Sequence, residues 1–395
     1  LQDLRGETVD FSIPKEVSDD LGRFQTFLNA QVVPNLSDWY NKGAVTRDFH
    51  LAMGQGGWYG FDYAEGRLTR TDSLKRALVA ERLAALSPGI AVAALAHADL
   101  GLAGLWLFGS EALQQRYGDA SVLGENLICL GNTESGAGSD VANIRMTAER
   151  VSDGWALNGT KAYVTNGWIS DLAVITAISD PDAQRNNRLS MFLVDLTSEG
   201  VRKKKLSKQV WMPSDLTRIQ LKGVVVPEDH LIGERGHGLQ QVLTVFTHSR
   251  VPISALALGT AMGAYELGLA HARKRRIFDQ RIVDQQAKAF EIADFYARIE
   301  AARLAMFKAC WVMDRGEDFR LESSLTKYLS VMIAREVSSW AADLFGAASV
   351  MLEHPIHKFP MDAWGASLGE GTQDVQKLII FREVIKRSQL FPFAT

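Results

Sequence analysis

The sequence predicts an α+β protein with an N-terminal helical domain, a middle antiparallel β-domain and a C-terminal helical domain containing a four-helix bundle. Two changes of hydrophobic period carry that prediction. From Ser18 to Gly124 apolar residues recur at helical spacing, as in Leu74, Leu78, Val79 and Leu83 and again from Leu95 through Leu107. From Asn126 to about Gly236 they fall into short runs between turn residues. Beyond Gly238 the helical period returns. These changes divide the chain into 1–124, 125–236 and 237–395.

Within the middle part, Met146 to Arg150 and Trp155 to Leu157 flank Ser152-Asp153-Gly154, a sequence suited to a hairpin turn. Asn158-Gly159 marks a second turn or a bulge before Lys161 to Val164. Leu172 to Ile178, Leu189 to Val194 and Arg218 to Val226 continue the sheet. Pro227 ends it, because proline cannot donate to a ladder. In the last part, Ile292, Phe295, Tyr296, Ile299, Ala302 and Met306 share one helix face. Leu325, Tyr328, Leu329, Met332, Ile333, Val337 and Trp340 share the next. A dinucleotide-binding βαβ unit is excluded: Gly233-Glu234-Arg235-Gly236-His237-Gly238 has the wrong glycine spacing and no strand–helix–strand frame.

The 395 residues are 47% apolar and 23% charged, with a formal charge of −3. Such a balance predicts a soluble chain with a large core and no general attraction to nucleic acid or to an anionic membrane. The basic run Arg202-Lys203-Lys204-Lys205 reads as a solvated strand end. Cys129 and Cys310 stand apart from any CxxC or histidine cluster. They read as buried reduced thiols in a reducing compartment, with no metal site. No apolar run approaches the ~18 residues that span a bilayer, and Leu1 to Arg5 lacks a secretory apolar core. The expected location is the cytoplasm, with an organellar matrix left open.

Chemistry concentrates in three segments. Asn132-Thr133-Glu134-Ser135-Gly136-Ala137-Gly138-Ser139-Asp140 is a glycine-rich turn closing a strand. Lys161-Ala162-Tyr163-Val164-Thr165-Asn166 ends a hairpin, and Glu370-Gly371-Thr372 lies in a helical region near the C-terminus. Together they can bring backbone N–H donors, two hydroxyls and one carboxylate to a planar cofactor. In this order and at these separations they resemble the acyl-CoA dehydrogenase family, flavoenzymes that desaturate acyl thioesters. The resemblance runs over nearly the whole chain.

It implies bound FAD, with Thr133, Gly138 and Ser139 at the ring and phosphates, Tyr163 against the ring face and Thr165 near flavin N5. It also implies that Arg275, three residues before Phe278, reaches the pyrophosphate of FAD on a neighbouring subunit, so that a homo-dimer or homo-tetramer completes the site. Gln286, Thr372 and Asp374 are further cofactor contacts by the same resemblance. Glu370 becomes the base that takes the α-proton, with Ser139, Arg250 and Gly371 facing substrate. The thioester is carried by CoA or by acyl carrier protein, and the electrons pass to an electron-transfer flavoprotein.

Four departures from the family pattern stand out. Asp279 follows Phe278 where glycine is usual, and Ser135 replaces a proline. Asp343-Leu344-Phe345-Gly346-Ala347-Ala348-Ser349 replaces a glycine-rich adenosine contact, and Met361-Asp362 replaces an Arg-Asp pair. The changes at the adenosine contacts keep open a non-catalytic FAD-binding subunit of a hetero-oligomer; a flavin oxidase or monooxygenase of the same fold is the other alternative. Ser249, before Arg250, cannot serve as the base that some members carry there. Ala93, Ala94, Ala96, Ala98 and Gly101, with Gly369 where tyrosine is common, suggest a wide acyl pocket for a branched, cyclic or aromatic group. His97 among them reads as a bonded core residue.

Overall fold

A computed structural model describes residues 12–386; the reading of Leu1 to Arg5 lies outside them. The first part holds α1 (Lys15–Phe27), α2 (Leu36–Lys42) and α3 (Arg47–Gln55), then a short hairpin of β1 (Phe61–Ala64) and β2 (Arg67–Arg70). That hairpin was not expected in a helical domain. Its strands are only four residues each, too short to show an alternating pattern against the surrounding helices. Next come α4 (Ser73–Leu86), α5 (Pro88–Leu95), α6 (Ala103–Phe108) and α7 (Glu111–Val122). Side-chain oxygens of Asp72 and Ser110 accept from Lys75 N and Leu113 N, capping α4 and α7. Ser87 turns extended and Pro88 follows, so α4 stops and α5 begins. Between α5 and α6 the helix widens into i→i+5 turns over Ala96–Leu102.

The middle part is one eight-stranded sheet in the order β10-β7-β6-β4-β5-β9-β8, with β3 also on β6. Its strands are β3 (Ile128–Gly131), β4 (Thr147–Val151), β5 (Gly154–Thr165), β6 (Leu172–Ile178), β7 (Leu189–Asp195), β8 (Val201–Lys205), β9 (Leu216–Val226) and β10 (Leu231–Ile232). The expectation of a purely antiparallel domain is corrected here. Both β3 and β4 run parallel to β6, Ile128–Gly131 against Leu172–Ile175 and Thr147 against Ile178. They lie end to end along one edge of β6, which forces the intervening glycine-rich segment out of the sheet as a loop. The Asn158-Gly159 signal is a bulge, not a turn: the β5–β9 register shifts between Leu157 and Asn158 and again between Lys161 and Val164. The basic run forms β8, an edge strand with Lys203 and Lys205 over the Trp168 ring.

The last part opens with the 37-residue α8 (Gly238–Lys274). A two-residue-strand hairpin, β11 (Arg276–Ile277) and β12 (Gln280–Arg281), leads to α9 (Gln286–Asp314), α10 (Arg320–Phe345), α11 (Phe359–Gly365) and α12 (Gln373–Lys386). The helices α8, α9, α10 and α12 form the bundle. Where α8 crosses α4 the two backbones nearly touch: a Cβ on Gly259 would sit 2.0 Å from the Glu81 carbonyl oxygen, and one on Gly263 2.1 Å from that of Ala85. Glycine is required at both for that reason. The first and last parts share one apolar core, including Leu78, Leu83, Ile90, Leu256, Val331 and Val337, while the sheet has its own around Trp155, Phe192 and Ile219. On the expected α9 face, Ile299, Ala302 and Met306 are buried, but Tyr296 is exposed.

Two helical stretches, Pro88–Phe108 and Gly238–Lys274, are long and apolar enough to span a bilayer by length and composition, contrary to the reading of the sequence. Here 78% and 72% of their apolar windows are buried inside the fold, so they act as core helices. Cys129 and Cys310 are both buried and free.

Candidate active site

The loop extruded between β3 and β4 is tied to the end of β5 by one buried ion pair. Lys161 Nζ donates to Glu134 Oε1 at 2.9 Å and to the Asn132 carbonyl at 3.0 Å. The carboxylate also accepts from the Arg145 and Met146 N–H groups. Burial pushes the Lys161 ammonium down to about 8 while Glu134 pulls it back. Burial alone would raise Glu134, yet Lys161 and the two backbone donors hold it below the ordinary carboxylate value. A further bond, Ala162 N to the Thr133 carbonyl at 2.8 Å, closes the same junction. Two of the three segments singled out in the sequence are thereby clamped together. Ser135 does not open the turn: Glu134 and Ala137 exchange backbone bonds of 3.0 and 3.1 Å.

This clamp leaves the expected contact groups accessible. Gly138 and Ser139 are exposed, Thr133 and Thr165 are half-buried, and nothing lies within 4 Å of where a Cβ on Gly136 or Gly138 would be. Tyr163 has φ of +57° beside the second β5 bulge and remains 59% exposed, its ring displayed rather than packed. Beyond it, Asn166 donates to the Ala93 carbonyl at 2.6 Å, and the Asp215 carboxylate accepts from the Trp168 and Ile169 N–H groups. Four residues before Asp215, Trp211 N donates to Asp362 Oδ1 at 2.5 Å, and the Trp211 ring packs on Gly365. This contact ties the β-domain to α11, immediately before the Glu370 turn.

Glu370 sits in a backbone conformation that few glutamates adopt, with φ of +49°, and Gly371 follows at +92°. Several bonds hold the strain. Lys327 on α10 donates to the carbonyls of Gly369 and Gly371, Gln376 donates to those of Glu370 and Gly371 at 3.0 Å, and Arg250 Nε reaches the Glu370 carbonyl at 3.5 Å. Glu370 Oε2 is buried and has no hydrogen-bond partner. Burial pushes this carboxyl above its ordinary 4.5, opposed by Lys327 and Arg250 and reinforced by Asp99. Burial likewise lowers Lys327 to about 8 and Arg250 to about 10, with Glu370 opposing both shifts. Thr372 lies at the start of α12, its carbonyl accepting from Gln376 N. Asp374 is exposed and pairs with Lys377.

Arg275, Phe278 and Gln286 do not join this group within the chain. Arg275 ends α8 roughly 25 residues beyond Arg250, about 37 Å along the helix at its usual rise. Phe278 (93% exposed, φ +49°) and Asp279 (φ +61°) are the turn residues of the β11–β12 hairpin, and Gln286 is exposed at the start of α9. Both turn positions need positive φ, which aspartate tolerates better than most residues, so Asp279 is a workable substitute for glycine.

Asp362 is buried, with Trp211 N and Tyr40 Oη donating to it, and burial raises it to about 6. One sequence expectation is corrected: Gly101 does not line an acyl pocket, since a Cβ there would lie 2.2 Å from the Ile128 carbonyl oxygen. His97 is a bonded core residue, accepting from Ile128 N and donating to the Ser121 carbonyl. Ser249 is spent on the Phe246 carbonyl. Lys327 escaped the reading of the sequence; the only trace was a lysine among the small polar residues Ser323, Thr326 and Ser330 on a mostly buried helix.

Comparison with known proteins matches this architecture in all three parts. The N-terminal, middle and C-terminal domains of acyl-CoA dehydrogenase match residues 21–125, 129–224 and 236–385. A probable acyl-CoA dehydrogenase of Mycobacterium bovis is 28% identical over 95% of this chain and 97% of its own. The caffeyl-CoA reductase-Etf complex subunit CarC of Acetobacterium woodii is 30% identical over 72% and 75%. The solved butyryl-CoA dehydrogenase of Megasphaera elsdenii superposes with a TM-score of 0.90 at 26% identity, over 95% of this chain and 100% of that one. The chain belongs to the acyl-CoA dehydrogenase family. It is therefore an oxidoreductase of a FAD-dependent class.

Proposed function

We propose that this protein removes a hydrogen pair from the α and β carbons of an acyl thioester, with Glu370 as the base. The observation that carries the reading is the buried, unpartnered Oε2 of Glu370 on a turn fixed from both sides by Lys327. A desolvated carboxylate with one idle oxygen is poised to take a weakly acidic C–H proton, and its raised affinity for that proton matches the task. Arg250 and Lys327 hold the turn, so the oxygen keeps its direction while the substrate moves. Gly369 adds no side chain, and nothing lies within 4 Å of where its Cβ would be, which leaves space for acyl bulk beside the base.

The residues fit FAD. Gly136 and Gly138 stand in open space with exposed backbone, Ser139 and Thr165 offer hydroxyls, and Tyr163 displays a ring. Thr133, Gly138, Ser139, Tyr163, Thr165 and Thr372 would hold the flavin end. When bound, FAD supplies the acceptor for the β-hydride. Arg275, Phe278 and Gln286 follow the far end of α8, away from Arg250 and the Glu370 turn, so they are assigned to FAD in a second copy of the chain. A dimer or tetramer with shared sites follows. Asp374 is the weakest member of the set because Lys377 already engages it. The carrier is CoA or acyl carrier protein, and the acceptor an electron-transfer flavoprotein; the Etf complex of the Acetobacterium woodii relative supports that choice. The buried free thiols agree with a reducing, cytoplasmic or organellar-matrix setting.

The test is anaerobic bleaching of the flavin absorbance by a panel of acyl-CoA thioesters, repeated with Glu370→Gln. Wild-type bleaching by at least one thioester, with a severe rate loss in the variant at full flavin content, is expected. Equal rates in both proteins would remove Glu370 from the reaction.

A further inference from the structure

The buried carboxylate of Asp362, on α11, takes partners from distant parts of the chain. Trp211 N donates to Oδ1 at 2.5 Å, and Tyr40 Oη, from α2, donates to Oδ2 at 3.4 Å. The Lys358 and Lys208 ammonium groups oppose the upward push of burial on this carboxyl. Both lysines are themselves engaged. Lys208 donates to the Val210 and Trp211 carbonyls and to Ser214 Oγ, and Lys358 to the Leu86 carbonyl. Residues 206–215, between β8 and β9, are thereby joined to α11, with the N-terminal part held at Tyr40 and Leu86.

Cohesion alone does not account for this junction. A packed apolar contact would join the same elements without burying an ion. Two features concern direction instead. Trp211 has φ of +52°, uncommon for an aromatic residue. Its ring lies across Gly365, the nearest atoms 3.0, 3.2 and 3.4 Å from where a Cβ would stand, while its Nε1 is buried without a partner. Backbone strain and a missing hydrogen bond coincide where the loop meets the helix.

From this point short hydrogen-bonded steps lead to both halves of the candidate site. Toward the base, Ala366 N donates to the Asp362 carbonyl, Ser367 N to that of Trp364 and Leu368 N to that of Gly365. Gly369 and Glu370 follow directly. Toward the end of β5, Ser214 N donates to the Trp211 carbonyl and Asn166 N to that of Asp215. The Asp215 carboxylate accepts from Trp168 N and Ile169 N at 2.9 and 3.3 Å. Asn166 adjoins Thr165, a hydroxyl assigned above to the flavin end.

We propose that Asp362 is a positioning residue: through its bond to Trp211 N it sets the gap between the Glu370 base and the flavin-facing end of β5. The inference rests on the acyl-thioester reading above. Taking the α-proton requires only the base against Cα, whereas moving the β-hydride also requires the opposite wall at its proper distance. A widened gap therefore slows flavin reduction more than α-proton exchange.

Two measurements test this. Amide hydrogen exchange, read by mass spectrometry without thioester, compares wild type, Asp362→Ala and Asp362→Asn. The alanine variant should exchange about fivefold faster in 166–171 and 366–372 together, and asparagine, which keeps an acceptor for Trp211 N, should restore protection. The second variant, Gly365→Ala, presses a methyl group against the Trp211 ring and leaves Asp362 in place. Its flavin reduction, per bound flavin and with the acyl-CoA that bleaches wild type fastest, should fall about tenfold or more. Exchange of the acetyl-CoA α-protons in D2O should stay within about threefold of wild type, since acetyl-CoA has no β-carbon. Faster amide exchange confined to 206–215 would overturn the proposal, and so would equal losses of both reactions in Gly365→Ala, whether or not Asp362→Ala folds. Coupled amide exchange with no bleaching by any acyl-CoA would uphold the bridge and sink the dehydrogenase reading instead.

Discussion

Lys327 grips the peptide on both sides of Glu370, donating to the carbonyls of Gly369 and Gly371 from a side chain with no solvent exposure. One ammonium therefore fixes a left-handed glutamate and sets its electrostatic surroundings. Replacement by methionine leaves the Gly369 carbonyl without its donor, while Gly371 keeps Gln376, and the expected loss is about 1–3 kcal/mol of stability. Thermal or urea unfolding of Lys327→Met measures it, and an unchanged midpoint would mean that the clamp is dispensable.

The same ammonium controls pH dependence. Only ionised Glu370 can accept a proton, and its carboxyl is raised above 4.5 by burial while Lys327 pulls it down. The raised value extends the protonated, inactive range upward, so flavin reduction should increase with pH through a limb lying above 4.5. Removing Lys327 should shift that limb further up. A limb at or below the ordinary carboxylate value, or a downward shift in Lys327→Met, would contradict this assignment.

Glu370→Gln keeps the shape of the side chain and removes the base. A loss of about 10²–10⁴-fold in the rate of flavin reduction is expected, with flavin content unchanged. Stopped-flow absorbance gives both quantities on one sample.

The Lys161–Glu134 pair makes a separate prediction about the cofactor loop. Truncating one partner of a buried pair strands the other, so Lys161→Met should cost about 3–5 kcal/mol. Because the pair joins the Thr133–Asp140 loop to the Tyr163–Thr165 strand end, the surviving folded protein should also retain less flavin. Denaturant melts and absorbance ratios together would separate the two effects.

Arg275 is exposed, and its replacement should leave stability within about 0.5 kcal/mol while lowering flavin retention. The shared-site arrangement adds a stricter check. Mixed oligomers refolded from Arg275→Ala and Glu370→Gln chains should recover activity that neither variant has alone, because some sites then combine two intact contributions. No recovery in verified hybrids would place both residues in one subunit's site.

Much of the fold was legible because period and punctuation are local. The helical spacing around Leu74–Leu83, the Asp153-Gly154 turn and Pro227 each act through neighbours within a few residues. The β1–β2 hairpin was not, since four-residue strands carry too little pattern. Nor was the parallel placement of β3 and β4, which depends on the looping out of residues between them. Lys161 appeared in a recognised segment, yet its tie to Glu134 was invisible because sequence separation says nothing about burial.

What the sequence alone determined is the order of the three parts and the identity of the groups proposed for the chemistry: a carboxylate at Glu370, hydroxyls at Ser139 and Thr165, a ring at Tyr163. Only the tertiary structure decided which charges meet without water. Lys327 comes to Glu370 from another helix, and Arg70 and Arg76 reach Asp99 from a strand and a helix that precede it. The reason is physical: side-chain type is a property of one position, whereas desolvation and charge pairing belong to the space between elements.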